Sequence, residues 1–131
     1  MERLPYIDEH AISVLADQAT TWDALLRVTC RNPDDPSTVP FGFVLDVATP
    51  PDRLAMKGRH PFATYRLVFE LDEMAAPRRT LVRAQTWSEF PGVAGKVYRT
   101  LLISSGAHQI AVRRWLRRIA STAESQDAVT S

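Results

Sequence analysis

The pattern of apolar and polar positions divides the chain into a strand-rich first part and one long C-terminal helix. From Phe90 to Ala120 apolar residues recur with helical spacing, and the arginines fall on other faces. The predicted apolar stripe comprises Val97, Leu101, Ser104, His108, Ala111, Trp115 and Ile119, flanked by Ala94, Tyr98, Ser105, Val112 and Leu116. Gly106 permits a kink but leaves the stripe in phase. A helix with one apolar side needs a sheet to cover that side.

Before this helix the period changes to that of strands and short turns. Strands are predicted at Tyr6 to Ala16, Phe41 to Val47, Arg53 to His60, Phe62 to Leu71 and Thr80 to Phe90. Asp17 is an N-cap candidate for a short helix that ends near Val28. In the first strand His10, Ile12 and Val14 share one face and Ala11, Ser13 and Leu15 the other, and both faces can be partly covered. Residues that share a face in the next two strands are Phe41, Phe43, Leu45 and Val47, and Leu54 and Met56. The inward-facing sets of the last two strands are predicted as Tyr65, Leu67, Phe69 and Leu71, and Val82, Ala84 and Thr86.

This order of elements predicts an α+β fold in which a curved antiparallel sheet grips the long C-terminal helix. The concavity between the two layers is where small-molecule sites usually lie. Its predicted ligand-binding lining is Ile12, Phe43, Leu45, Met56, Tyr65, Leu67, Thr86, Leu101, Ser105, His108 and Val112.

The composition is that of an ordinary globular protein and agrees with this predicted fold. With 131 residues, 45% of them apolar and 24% charged, the chain is expected to form one domain over residues 1–120. Residues 121–131 lack a large apolar anchor, so a flexible tail is expected there. A net charge of +1 gives no reason to expect nucleic acid as a partner.

Targeting and redox features indicate a cytoplasmic protein. Cys30 is alone and cannot form an internal disulfide, and no secretory leader opens the chain. No apolar run reaches the length of a spanning helix, so no membrane span is expected.

Two stretches resemble a known superfamily. His10 to Leu25, HAISVLADQATTWDAL, resembles the opening strand and tryptophan-bearing helix of the START-like superfamily, the helix-grip fold of Bet v 1 and the polyketide cyclases. Phe90 to His108 resembles a C-terminal signature of a bacterial branch whose members mostly lack an assigned function. The resemblance implies a ligand cavity but no particular reaction, because only some members are enzymes. The segment between Val28 and Phe41 is short for the second helix of that fold, so the cavity mouth is either more open or closed by a loop.

His108 is the main candidate for chemistry, because it is a polar group near the centre of an apolar stripe. It could be an acid/base group with Tyr98, or a structural histidine bonded to backbone, and the structural interpretation is favoured. The three histidines, His10, His60 and His108, share no metal-ligand spacing, so neither a metal nor a cofactor is expected.

Two other features have a functional and a simpler interpretation. Arg113, Arg114, Arg117 and Arg118 could attract an anion, but cations at a helix C-terminus also offset the helix dipole, and this second explanation is favoured. Ile103 and Ile110 project away from the stripe and could form a homodimer contact.

Two functional hypotheses therefore remain open from the sequence. The first is a binding protein for a hydrophobic small molecule, lipid-like or polyketide-like, with no reaction assigned. The alternative is a cyclase, dehydratase or hydrolase that uses His108 and Tyr98 as an acid/base pair.

Overall fold

The computed structural model describes residues 6–40, 43–60, 63–75, 79–89 and 107–130. Two helices and five strands cover most of these ranges. In chain order they are β1 (Tyr6–Val14), α1 (Gln18–Thr29), β2 (Val44–Thr49), β3 (Arg53–His60), β4 (Ala63–Glu73), β5 (Thr80–Glu89) and α2 (Ala107–Thr130). The predicted strand over Phe62 to Leu71 is thus confirmed, and it runs on to Glu73. Phe41, Gly42, Phe62 and Phe90 lie outside the described ranges.

The five strands form one antiparallel sheet in the order β1-β5-β4-β3-β2. The two helices pack on one face of this sheet, which gives a two-layer α+β architecture. The predicted fold class, a sheet that grips a long C-terminal helix, is confirmed.

Helix α1 begins where the sequence predicts it. The side chain of Asp17 accepts a hydrogen bond from the backbone N–H of Thr20 at 2.8 Å, which satisfies one of the free donors at the helix start. Gln18 then donates from Nε2 to Oδ1 of Asp52 at 2.8 Å and to the carbonyl of Leu71 at 2.9 Å. These bonds tie the first turn of α1 to the sheet.

Alternation along the strands separates a core face from an outer face. The predicted inward residues of β3 and β5 are buried, as are Leu67, Phe69 and Leu71 of β4. With them in the core are Val14, Trp22, Leu25, Leu26, Val112, Leu116, Ile119 and Ala123. Val68, the exception in the β4 pattern, is also buried, on the outer face beside its partner Ala55.

A register shift in β2 corrects one prediction. Leu45 pairs with Met56, but the next pair is Val47 with Ala55, so Asp46 is an extra residue on this strand. Val47 consequently shares the outer face with Ala55, and Ala48 packs against the core instead. Strict alternation had predicted Val47 on the face of Leu45, and a one-residue bulge reverses that assignment.

Ion pairs cross the outer face of the sheet. Nη2 of Arg83 lies 3.1 Å from Oε2 of Glu70 and 2.9 Å from Oδ2 of Asp72. The carboxylate of Asp46 likewise faces two cations, with Nε of Arg66 at 3.1 Å and Nζ of Lys57 at 3.6 Å. The extra residue of the bulge therefore places a carboxylate between two basic side chains.

The predicted end of the long helix at Ala120 is wrong. Helix α2 continues to Thr130, and the residues that were expected to form a free tail are anchored. Ala123 is fully buried, and a side-chain oxygen of Glu124, Oε2, accepts a hydrogen bond from the backbone N–H of Leu15 at 2.9 Å. A small residue that packs closely against the sheet and α1 can anchor a helix without any large apolar side chain.

The buried stripe of α2 is also rotated from the predicted one. Val112, Leu116 and Ile119 are buried, Trp115 is half-buried and Ala111 is exposed. Trp115 therefore lies at the border of the core, and Ala111 lies on the exposed side of the helix. Within the ranges given above, no helix is long and apolar enough to cross a membrane.

Candidate ligand-binding site

Four of the predicted lining residues form one row across the core face of the sheet. Leu45 of β2 pairs with Met56 of β3, Met56 pairs with Leu67 of β4, and Leu67 pairs with Thr86 of β5. Met56, Leu67 and Thr86 are buried, and Leu45 packs against the core. Strands that are far apart in the chain thus bring these side chains into one continuous surface.

Aromatic rings extend this surface towards α2. The ring of Phe43 lies edge-on to Tyr65, with centroids 5.1 Å apart, and edge-on to Trp115, at 6.2 Å. Trp115 also packs against Phe69, at a centroid distance of 5.3 Å. Edge-to-face contacts at these distances are favourable for aromatic pairs. The four rings (Phe43, Tyr65, Phe69 and Trp115) are called the aromatic cluster below.

The indole of Trp115 is held in place by a hydrogen bond. Its Nε1 donates to Oγ1 of Thr29, the last residue of α1, at 2.9 Å. Because an indole N–H is a donor only, this bond satisfies it completely. The polar edge of the ring faces α1, and its apolar surface is left for packing.

A groove of about 440 Å3 lies beside the aromatic cluster. Its walls are Val28, Pro40, Phe43, Ala111, Arg114, Trp115 and Arg118. Most of this lining is apolar, and the two arginines are the charged groups in it. The groove lies where α1, the loop before β2 and α2 meet.

The loop that forms one wall of the groove occupies residues 31–40. It replaces the second helix of the resembled fold with a set of local hydrogen bonds. Oγ1 of Thr38 donates to the carbonyls of Asn32 and Asp35, and the backbone N–H of Arg31 donates to the carbonyl of Thr38 at 2.9 Å. Hydrogen bonds from Ser37 to the carboxylate of Asp35 lower the pKa of that carboxyl. Pro40, at the end of this compact loop, lines the groove.

Among the described residues, one buried hydroxyl of the row on the sheet, that of Thr86, has no hydrogen-bond partner. The side chain of Thr86 is 6% exposed, and its Oγ1 is unpaired. A buried hydroxyl without a partner costs about 1–3 kcal/mol. Thr86 lies in the same buried row as Leu67 and Met56 and does not line the groove, so a buried water molecule is a potential partner for its hydroxyl.

Among the described residues that were predicted to line the site, Phe43 is the one that lines this groove; Leu45, Met56, Tyr65, Leu67 and Thr86 do not. Two further predicted lining residues, Ile12 and Val112, lie elsewhere. Ile12 lines a second groove of about 610 Å3, on the other side of α2, with Arg117, Ala120 and Glu124 among its walls. Val112 is buried in the core between α2 and the sheet. Neither residue lines the groove at Trp115.

The remaining candidates are not covered by the described ranges. Tyr98, Leu101 and Ser105 lie outside them, and so does Ile103. His108 belongs to the first turn of α2, but its side chain is not described. An acid/base pair of His108 and Tyr98 therefore stays a prediction. Ile110 is 56% exposed, as the dimer hypothesis requires, and that hypothesis also stays a prediction.

Metal-binding chemistry has no support in the part of the chain that the structure describes. There, no group of three or more His, Cys, Asp or Glu side chains could hold a metal ion. Cys30 is buried, and burial raises the pKa of its thiol. A thiol in this state is a poor nucleophile and a poor metal ligand at neutral pH.

The arginine cluster does not lie at a helix C-terminus, as the simpler interpretation required. Arg113 to Arg118 occupy the middle of α2, and its last turn has no basic residue. The dipole acts only within the last turn of a helix, so it does not account for these arginines. Sequence reasoning missed Arg114, Trp115, Val28 and Pro40 as groove residues. The spacing of the arginines is evident in the sequence. Because the helix was predicted to end at Ala120, they were interpreted as residues of a helix C-terminus.

Comparison with known proteins supports the fold alone. No family model matches the sequence, and no curated protein matches it. Among solved structures, a conserved protein from Geobacillus kaustophilus has a TM-score of 0.61 at 10% identity and covers 89% of this chain and 94% of its own. A START superfamily protein from Mycobacterium smegmatis has a TM-score of 0.52 at 12% identity, over 96% of this chain and 99% of its own.

A third similar structure is DynU16, a protein of the dynemicin biosynthetic locus. Its TM-score is 0.55 at 19% identity, and the match covers 91% of this chain but 47% of DynU16. Identities this low show the fold alone. The element order, the antiparallel sheet and these similarities together show that the chain has the START-like, helix-grip fold.

Proposed function

We propose that this protein binds a hydrophobic small molecule, lipid-like or polyketide-like, in the groove where α1, the loop before β2 and α2 meet. The observation that carries the proposal is the groove at the aromatic cluster, where Phe43 and Trp115 form apolar walls. Its volume of about 440 Å3 lies within the range of roughly 300–1,000 Å3 that is usual for ligand pockets. The fold, shared with a START superfamily protein, supports a ligand-binding role in general.

The polar groups near the groove also suit a mainly apolar ligand. The indole N–H of Trp115 is satisfied by Thr29, so the ring offers stacking and no free donor. An apolar surface with few polar groups selects by shape and fixes the orientation of a ligand at a few points.

Blocking the groove tests this proposal. Ala111→Phe places a ring in the groove from an exposed position of α2, so the core is left intact. Gln109→Phe is the matched control, because Gln109 is exposed on the same helix and does not line the groove. Binding of the neutral fluorescent probe Nile red would be titrated for each variant, with melting temperature as the check on folding.

We expect Ala111→Phe to weaken Nile red binding by about tenfold or more, which is about 1.4 kcal/mol, and Gln109→Phe to leave it unchanged. Native mass spectrometry of the unmodified protein would look for a co-purified apolar ligand. Wild-type protein that neither carries an apolar ligand nor binds Nile red would contradict the proposal. Equal Nile red affinities for the two variants would show that the probe does not bind in this groove.

A further inference from the structure

Arg114 and Arg118 are two cations at the edge of an apolar groove. They are exposed, lie one helical turn apart on α2 and both line the groove at Trp115. In the described part of the chain neither forms an ion pair with a carboxylate, whereas Arg66 and Arg83 do. Among the described residues, two guanidinium groups beside an aromatic surface therefore have no carboxylate partner.

Helix stability does not account for this pair. Like charges at a spacing of four repel each other and destabilise a helix. The dipole gives no compensation, because α2 runs on for about three turns beyond Arg118. The presence of Arg114 and Arg118 beside a groove is explained if a bound anion offsets the repulsion between them.

The geometry points to an amphipathic carboxylic acid as the class of ligand, with its carboxylate between Arg114 and Arg118 and its apolar or aromatic body against Phe43 and Trp115. This inference rests on the proposed function, and it deepens that function by naming the polar end of the ligand. Guanidinium groups bind carboxylates through two parallel N–H···O bonds, which fixes the direction of the ligand as well as its charge.

A matched pair of probes distinguishes the contribution of the carboxylate to binding from that of the apolar ring system. 2-Naphthoate and 2-naphthalenemethanol share one ring system and differ in the carboxylate. Their dissociation constants would be measured by calorimetry at low salt for the wild type and for the double variant Arg114→Gln/Arg118→Gln. We expect the wild type to bind naphthoate about tenfold more tightly than the alcohol, since hydrogen bonds to charged groups are the stronger ones.

The double variant should bind the two probes equally, with the affinity for the alcohol unchanged. Arg113→Gln/Arg117→Gln is the control, because it removes the same charge at the same spacing from other faces of α2. Arg117 lines the second groove, with Glu124. The control should keep the preference for naphthoate.

The failures of the two proposals are distinguishable. If neither naphthalene probe binds and Nile red does not bind either, the proposed function fails and this inference fails with it. If both naphthalene probes bind the wild type equally, the groove binds apolar molecules, but the arginines do not select acids. An equal loss in the control double variant would show a general effect of net charge, which would also overturn the inference.

Discussion

The indole Nε1 of Trp115 donates a hydrogen bond to Oγ1 of Thr29 at 2.9 Å, and this bond joins the middle of α2 to the last residue of α1. The two residues are 86 positions apart in the chain. Thr29 is buried and Trp115 is half-buried, so the bond is partly shielded from water. It sets the angle at which the ring meets Phe43 and Phe69, and therefore the shape of the groove.

Removing either partner of this bond should destabilise the protein. We expect Thr29→Val, which leaves the indole N–H without a partner, to lower the free energy of unfolding by about 1–2 kcal/mol. Trp115→Phe should cost at least as much, because packing is also lost. Urea unfolding of both single variants and the double variant would give a coupling energy of about 1 kcal/mol. Strictly additive effects would show that the bond contributes nothing.

The two buried threonines of β5 should respond in opposite directions to loss of the hydroxyl. Oγ1 of Thr86 has no partner, whereas Oγ1 of Thr80 donates to the carbonyl of Ala16 at 2.8 Å. We therefore expect Thr86→Val to raise the free energy of unfolding by up to about 1 kcal/mol and Thr80→Val to lower it by about 1 kcal/mol. Urea titration of both variants checks this.

Ligand binding would separate a functional hydroxyl at Thr86 from a merely unsatisfied one. If the hydroxyl contacts the ligand, Thr86→Val should weaken binding of a co-purified ligand while the protein becomes more stable. A loss of stability in Thr86→Val equal to that in Thr80→Val would mean that the Thr86 hydroxyl is bonded in solution, against the arrangement described above.

The segment after Ala120 should contribute to stability. A chain that ends at Ala120 loses the burial of Ala123 and the hydrogen bond between Glu124 and the backbone N–H of Leu15. We expect the truncation to lower the free energy of unfolding by about 2–4 kcal/mol. Circular dichroism during urea unfolding would measure it. Unchanged stability would restore the prediction of a free tail.

A point substitution isolates the polar part of that anchor. Glu124→Gln keeps the size of the side chain and removes its charge, whereas Ser125→Ala changes an exposed neighbour. Amide exchange at Leu15 should become faster in Glu124→Gln and stay the same in Ser125→Ala, because the bond to a charged acceptor is the stronger one. Exchange rates by NMR would show the difference.

The Cys30 thiol should make stability depend on pH in alkaline solution. Burial raises the pKa of this thiol in the folded protein, so the folded state keeps its proton at a pH where the unfolded state has lost it. The stabilisation is complete below the unfolded pKa of about 8.5 and is lost as pH rises through the folded value. Urea midpoints of wild type and Cys30→Ala should therefore converge or cross above about pH 8.5. A constant difference across this range would contradict the shift.

Local patterns were sufficient for most of the fold. Alternation predicted the core face of β3, β4 and β5, since each strand buries one side regardless of its neighbours. Asp17 predicted the start of α1 because capping depends on residues three positions apart. The row of Leu45, Met56, Leu67 and Thr86 on the core face of the sheet was also predictable, because all four occupy inward positions of the pattern. Their role in ligand binding stays a prediction.

The tertiary structure decided the features that depend on distant parts of the chain. The end of α2 could not be predicted because its anchors are a small residue, Ala123, and a hydrogen bond that the carboxylate of Glu124 accepts from the backbone N–H of Leu15, 109 positions away. The position of that end, in turn, removes the dipole explanation for Arg114 and Arg118.

Local pattern is thus enough to predict most of the described elements and the buried side of β3, β4 and β5, because these properties depend on neighbouring residues. Only the tertiary structure decided that Trp115 meets Phe43 at a groove edged by two arginines. That meeting requires α1, the loop before β2 and α2 to come together, and no local pattern contains the geometry of their packing.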